Sequence, residues 1–96
     1  MRTLLIDCRN VRDADDLWDI YLRAADPKDA DLFGRNLDAF WDALHGGTGW
    51  PGDDVALEFT GSAALRALRS RSGATSYLDA FQAMAAEGAP IRLIFS

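Results

Sequence analysis

Leu32-Phe33-Gly34-Arg35-Asn36-Leu37-Asp38-Ala39-Phe40-Trp41-Asp42-Ala43-Leu44 lies near the middle of a 96-residue chain and reads as a loop feeding a short amphipathic helix. Leu37, Phe40, Trp41 and Leu44 recur at i, i+3, i+4 and i+7, the spacing of one helical face. Asn36 stands just before them and can cap the helix, because its side-chain oxygen accepts a first-turn amide. His45-Gly46-Gly47 ends it: glycine supplies the left-handed residue of a C-cap, and the histidine can bond the last carbonyls. Asp38 and Asp42 are four residues apart and hence neighbours on one face, where like charges cost a helix a few tenths of a kcal/mol. The helix dipole compensates Asp38 in the first turn but not Asp42 near the end. A solvated face tolerates such a pair; a cationic partner relieves it. Arg35 and His45 flank the two acids and can soften the repulsion.

Working outward, Thr3-Leu4-Leu5-Ile6-Asp7-Cys8 reads as a first strand, short, apolar and largely buried. After a turn at residues 10–13, residues 14–25 read as a helix with Leu17, Ile20, Tyr21 and Ala24 on its apolar stripe. Asp13 is its N-cap and Asp26-Pro27 its stop. A polar stretch, 28–31, leads into the quoted segment. Beyond the loop 48–54, Val55 to Thr60 is a second strand. Ser62 would cap a third helix with Leu65 and Leu68 inward and Arg66, Arg69 and Arg71 outward, broken at Ser72-Gly73. A fourth helix starts near Ser76, in the capping pattern Ser76-x-x-Asp79, turns Leu78, Phe81 and Ala85 inward and ends at Gly88. Ile91 to Phe95 is the last strand. Strands joined by helical crossovers imply an α/β fold: a small three-stranded parallel sheet packed with four helices, one domain over residues 1–96.

The composition sets limits. With 49% hydrophobic and 26% charged residues, the chain can bury one modest core. A single cysteine, Cys8, excludes an internal disulfide; it is expected as a buried structural thiol in a reducing, cytoplasmic setting. The first apolar stretch is too short for an export signal, and no run approaches a membrane span, so no membrane association is expected. The net charge is −5, but the span from Asp13 to Asp54 carries 11 acids against Arg23, Lys28 and Arg35, a local −8 that leaves +3 elsewhere. Such a surface repels nucleic acid and attracts basic partners.

Catalytic and cofactor chemistry has little to stand on. One histidine, beside two glycines, offers no nucleophile–base–orienter set. With no second His or Cys, a zinc site would be all carboxylate, which zinc disfavours. Asp26, Asp29 and Asp31 lack the alternation and terminal Glu of a calcium loop. Gly46-Gly47-Thr48-Gly49 lacks the lysine of a phosphate loop. The reading is a binding protein, not an enzyme, with no catalytic residue, metal or cofactor.

The segment 32–44 also resembles the barstar family, intracellular inhibitors of a secreted ribonuclease. The family's aromatic-Gly-x-Asn-Leu-Asp-Ala-x-Trp-Asp run is matched by Phe33, Gly34, Asn36, Leu37, Asp38, Ala39, Trp41 and Asp42. Weaker counterparts, in the right order, are the first strand, Leu57-Glu58-Phe59, and the Ala86-Glu87-Gly88 turn before a last strand ending in Ser96. The resemblance implies the same small parallel fold and a monomer binding one basic, barnase-like ribonuclease or toxin nuclease, as an immunity protein or antitoxin. Asp38 and Asp42 would take the place of RNA phosphate before the enzyme's Arg and Lys, since a carboxylate accepts the same forked hydrogen bonds. The implied binding set is Leu32, Phe33, Arg35, Asn36, Asp38, Trp41, Asp42 and Trp50. Departures are Leu32 where the family has Tyr, Arg35 where it has Glu, Ala83 where it has Glu, and a longer loop. In that loop Trp50 aligns either with a family Trp or with the aromatic before Pro51. These changes put the identity of the target nuclease in question. The competing reading is an acidic adaptor whose basic partner is not a nuclease; a ribonuclease gene next door would separate the two.

Overall fold

β2 (Val55–Thr60) is the central strand of the sheet, and its neighbours β1 (Arg2–Asp7) and β3 (Arg92–Phe95) both run parallel to it. The computed structural model describes all residues, 1–96. Register sets Leu4 beside Leu57, Ile6 beside Phe59, and Phe59 beside Phe95, so one face of the sheet is apolar throughout. α1 (Ala14–Ala25) and α2 (Leu37–Leu44) lie between β1 and β2; a 3-10 segment (Ser62–Ala67) and α3 (Tyr77–Ala86) lie between β2 and β3. The result is a three-stranded parallel sheet with helices, the architecture the sequence implies.

The local signals account for most boundaries. Asp13 accepts the Asp16 amide at 2.9 Å, Asn36 the Ala39 amide at 2.7 Å and Ser76 the Asp79 amide at 3.1 Å, each satisfying a first-turn donor that the helix itself leaves free. α1 ends on Asp26 in the left-handed region, whose amide closes on the Leu22 carbonyl at 2.9 Å.

Four expectations need correction. The first strand is not largely buried: Leu5 is 62% exposed and Thr3 is exposed, because the face opposite the core carries no helix. A chain this short has helices enough to cover one sheet face, not two. Second, the segment after β2 winds as 3-10 turns, and Ser62 does not cap it; Gly61 occupies the cap position at φ +63°, while the Ser62 hydroxyl donates to the Ser96 carbonyl at 3.1 Å. Leu65 and Leu68 are buried as expected. Third, Trp18, off the expected stripe of α1, is 1% exposed at the centre of the core, whereas Ile20 and Ala24 are half-buried. Fourth, α3 turns Tyr77, Leu78, Phe81 and partly Met84 inward and leaves Ala85 exposed. A short 3-10 turn, Ala30–Leu32, also interrupts the polar stretch.

The core is aromatic. Phe40 of α2 packs against Trp18 at 5.6 Å, Tyr21 at 5.3 Å and Phe81 at 4.8 Å between ring centroids. Large rings so arranged combine apolar burial with favourable tilted or edge contacts. α2 is therefore held from α1 and α3 at once, and only its outer face is free. Cys8 is fully buried, with its thiol directed at the Ile6 carbonyl, 3.5 Å away.

Candidate functional site

The free face of α2 carries Asp38 and Asp42, both exposed, with Trp41 half-buried between them. Phe40, Ala43 and Leu44 supply the buried side, so the acids are directed outward by the same periodicity that buries the aromatic ring. His45 closes the helix: its amide reaches the Ala43 and Asp42 carbonyls, and its Nδ1 lies 2.8 Å from the Trp41 carbonyl. The imidazole rests on Trp41 with centroids 4.3 Å apart. Gly47 then donates its amide to the Asp42 carbonyl at 2.8 Å, and a Cβ there would stand 2.9 Å from that oxygen, so the loop can turn this close only with glycine.

Two shallow grooves border this face. In one, Leu32, Ala39, Asp42, His45 and Thr48 come together. Leu32 is 76% exposed, and of the three large exposed apolar side chains it alone adjoins Asp42. The other runs between α2 and α3, with Leu37, Trp41, Ala83 and Met84 as its apolar floor and Asp38, Asp42 and Glu87 at its rim. Glu87 was not singled out from the sequence. Its signal is the spacing of Ala80, Ala83, Met84 and Glu87, a helical stripe that runs along α3 onto its C-cap and faces α2.

The remaining residues of the expected set are distributed differently. Asn36 is the cap of α2. Phe33 is 5% exposed and packs on Trp18 and Tyr21. Trp50 is half-buried at the edge of the core. Arg35, at φ +56°, turns toward α1: its Nη2 donates to the Asp15 carbonyl at 3.1 Å and lies 3.3 Å from the Asp15 carboxylate and 2.9 Å from that of Asp19. The two carboxylates, Asp19 first, push the guanidinium pKa upward.

Of the chain's 15 acids, five are in ion pairs, Asp7 with Arg9 among them, and ten are not. Asp15, Asp16 and Asp19 of α1 are matched by Arg35 and Arg12, and Asp54 by the N-terminal amine. Asp38 and Asp42 are in no ion pair. No three His, Cys, Asp or Glu side chains approach closely enough to hold a metal ion, and no helix is long and apolar enough to cross a membrane. What the face offers chemically is recognition: outward carboxylates that accept hydrogen bonds, beside exposed and half-exposed apolar side chains. The family model described as Barstar (barnase inhibitor) matches residues 1–96 of the chain.

Proposed function

The chain belongs to the barstar family, described as inhibitors of barnase, and from that premise we propose that it blocks the active site of a basic ribonuclease with the outer face of α2. The observation that carries this reading is the state of Asp38 and Asp42. They project from a helix anchored on two sides, and neither is neutralised by a neighbour, although acids on α1 are. A fixed pair of carboxylates presents to arginine and lysine the acceptors that an RNA phosphate would present. Because the helix is already rigid, little ordering is needed on binding.

Leu32 and Trp41 supply the apolar centre beside the acids, and Glu87 extends the acidic rim. Asn36, Phe33 and Arg35 act on the interface through position: a cap, a core anchor and a tether to α1. Trp50 props the loop that borders Asp42. The complex is one-to-one, and the chain acts in the cytoplasm as an immunity protein against an exported ribonuclease or toxin nuclease. A chain with one buried cysteine needs no disulfide to fold, which agrees with that compartment.

The test is inhibition of RNA hydrolysis by barnase, titrated with the chain and with variants. Asp42→Ala should weaken the complex by more than about 2 kcal/mol, the threshold of an interface hot spot. Asp38→Ala should also weaken it, while Asp15→Ala and Asp19→Ala, on α1, should change it little. Equal effects at all four positions would mean diffuse charge and not a site on α2. Absence of inhibition by the wild-type chain would overturn this reading.

A further inference from the structure

A third groove opens at the N-terminal end of α2, where Asp38 and Leu37 face Arg69, Arg71 and Tyr77. We propose that Arg69 and Arg71 form a cationic flank of the α2 surface and receive one or more carboxylates of the same ribonuclease whose cations meet Asp38 and Asp42. This rests on the inhibitor reading above and adds to it the charge pattern the partner must carry.

Both arginines are exposed, and neither is in an ion pair, although Asp38 borders the same groove. Arg9, Arg12 and Arg35 are matched to carboxylates within the chain; Arg69 and Arg71 share their unpaired state with Arg2, Arg23, Lys28, Arg66 and Arg92, and what sets the two apart is their place beside Asp38 at the end of α2. Nor are the two arginines on a loose loop. Residues 69–76 form a tight hairpin: Arg69 bridges Ser76, the Ser70 amide donates to the Thr75 carbonyl at 2.8 Å, and the Gly73 amide to the Ser70 carbonyl at 2.8 Å. The Tyr77 amide, at 2.7 Å from the Leu68 carbonyl, ties the hairpin to α3. The guanidinium groups are thus presented from a braced segment.

Charge arithmetic then selects the partner. Asp38, Asp42 and Glu87 against Arg69 and Arg71 leave a net of −1, with the acids along α2 and the end of α3 and the cations segregated on the hairpin. A uniformly cationic enzyme would gain at α2 and lose at the hairpin. A partner with cations opposite α2 and a carboxylate opposite the hairpin gains at both. A ribonuclease active site has that composition on chemical grounds. Cations hold the phosphate, and a general base, which a carboxylate can be, takes the proton of the attacking hydroxyl on the same nucleotide.

The experiment measures inhibition of barnase by the wild-type chain, Asp42→Ala, the pair Arg69→Gln with Arg71→Gln, and the pair Arg69→Glu with Arg71→Glu. Circular dichroism and melting temperature confirm that each variant folds, as exposed positions allow. The glutamine pair should weaken inhibition by about three- to tenfold and the glutamate pair by more. Both losses should shrink near 1 M salt. Unchanged or tighter inhibition by the glutamate pair overturns the inference, since the facing surface would then be neutral or basic. If Asp42→Ala leaves inhibition intact, the α2 reading itself fails; if Asp42→Ala weakens it and the arginine pairs do not, only the cationic flank fails. A wild-type chain that does not inhibit barnase overturns both.

Discussion

The Tyr21 hydroxyl donates a 2.7 Å hydrogen bond to the Gly49 carbonyl, joining α1 to the loop that follows α2. The Gly49 amide in turn donates to the Asp29 carboxylate at 3.0 Å, so both polar groups of this one residue are held. Gly49 sits at φ +89°, and a Cβ there would lie 2.6 Å from Phe33 Cδ1. Tyr21→Phe should cost about 1 kcal/mol, the net worth of a buried hydrogen bond. Gly49→Ala should cost more, about 2–4 kcal/mol, since a left-handed backbone and a collision with a buried ring add together. Urea unfolding curves measure both. An alanine variant as stable as the parent would mean the loop is not seated on Phe33.

Arg35 gives a prediction opposite to one drawn from its position alone. Next to the acidic face it reads as a charge reversal within the interface; in the fold its guanidinium bridges α1 through Asp15 and Asp19. Arg35→Glu would set a third carboxylate against those two. Stability should fall by about 1–2 kcal/mol, with repulsion added to the lost pairs, and low salt should enlarge the fall. Thermal melts at two salt concentrations decide it. A variant of unchanged stability would assign Arg35 to solvent.

These cases show what a sequence can carry. The limits of α1 and the caps at Asp13, Asn36 and Ser76 are readable because each depends on residues within one turn. The acidic pair on α2 is readable for the same reason. The 3-10 winding after β2 is not, because the Ser62 hydroxyl is drawn to Ser96, 34 residues away. Trp18 lies off the stripe that spacing marks, but its ring contacts Phe33, Phe40, Tyr77 and Phe81, which come from three other segments. The orientation of Arg35 is not readable for a similar reason: its partners are on α1.

Burial sets an alkaline limit on stability. Burial, and secondarily the charge of Asp7, raises the Cys8 thiol from 9.0 to about 11. Burial likewise raises the Tyr21 hydroxyl, with Asp29 adding to it, and the Tyr77 hydroxyl. Where the folded value is raised, the unfolded chain loses its proton first, so the stability is complete below the unfolded value and declines as pH rises toward the folded one. Urea midpoints should therefore be flat from pH 7 to 8.5 and fall between about pH 9 and 11. Cys8→Ala, less stable overall, should show a shallower fall. A curve flat to pH 11 would contradict the burial of all three groups.

Trp41 separates contact from packing. Trp18 fills the core, while Trp41 is half-buried, in tilted contact with His45 and open to the groove with Met84. Trp41→Phe keeps a ring in place and should leave the melting temperature within a few degrees, while weakening inhibition by about 1–2 kcal/mol through lost contact area. Loss of melting temperature with affinity retained would return Trp41 to the core.

Long-range charge governs the rate of encounter. Residues 13–54 carry −8 of a chain net of −5, so α1, α2 and the loops around them hold most of the negative charge. The molecule measures 30 × 26 × 25 Å, and the Debye length is about 10 Å at 0.1 M salt, so an approaching enzyme senses the side it faces more than the total. A basic ribonuclease is therefore drawn toward the acidic side before any contact forms. Association should slow steeply as salt rises from tens of millimolar toward about 1 M, while dissociation, governed by contacts already shielded from solvent, should change much less. Asp53→Asn removes an exposed, unpaired charge away from α2; it should lower the association rate slightly and leave the dissociation rate alone. Stopped-flow mixing with barnase over a salt series reads both constants. An association rate indifferent to salt, or a salt effect confined to dissociation, would reduce the acidic region to a solubilising surface and remove phosphate mimicry as the mechanism.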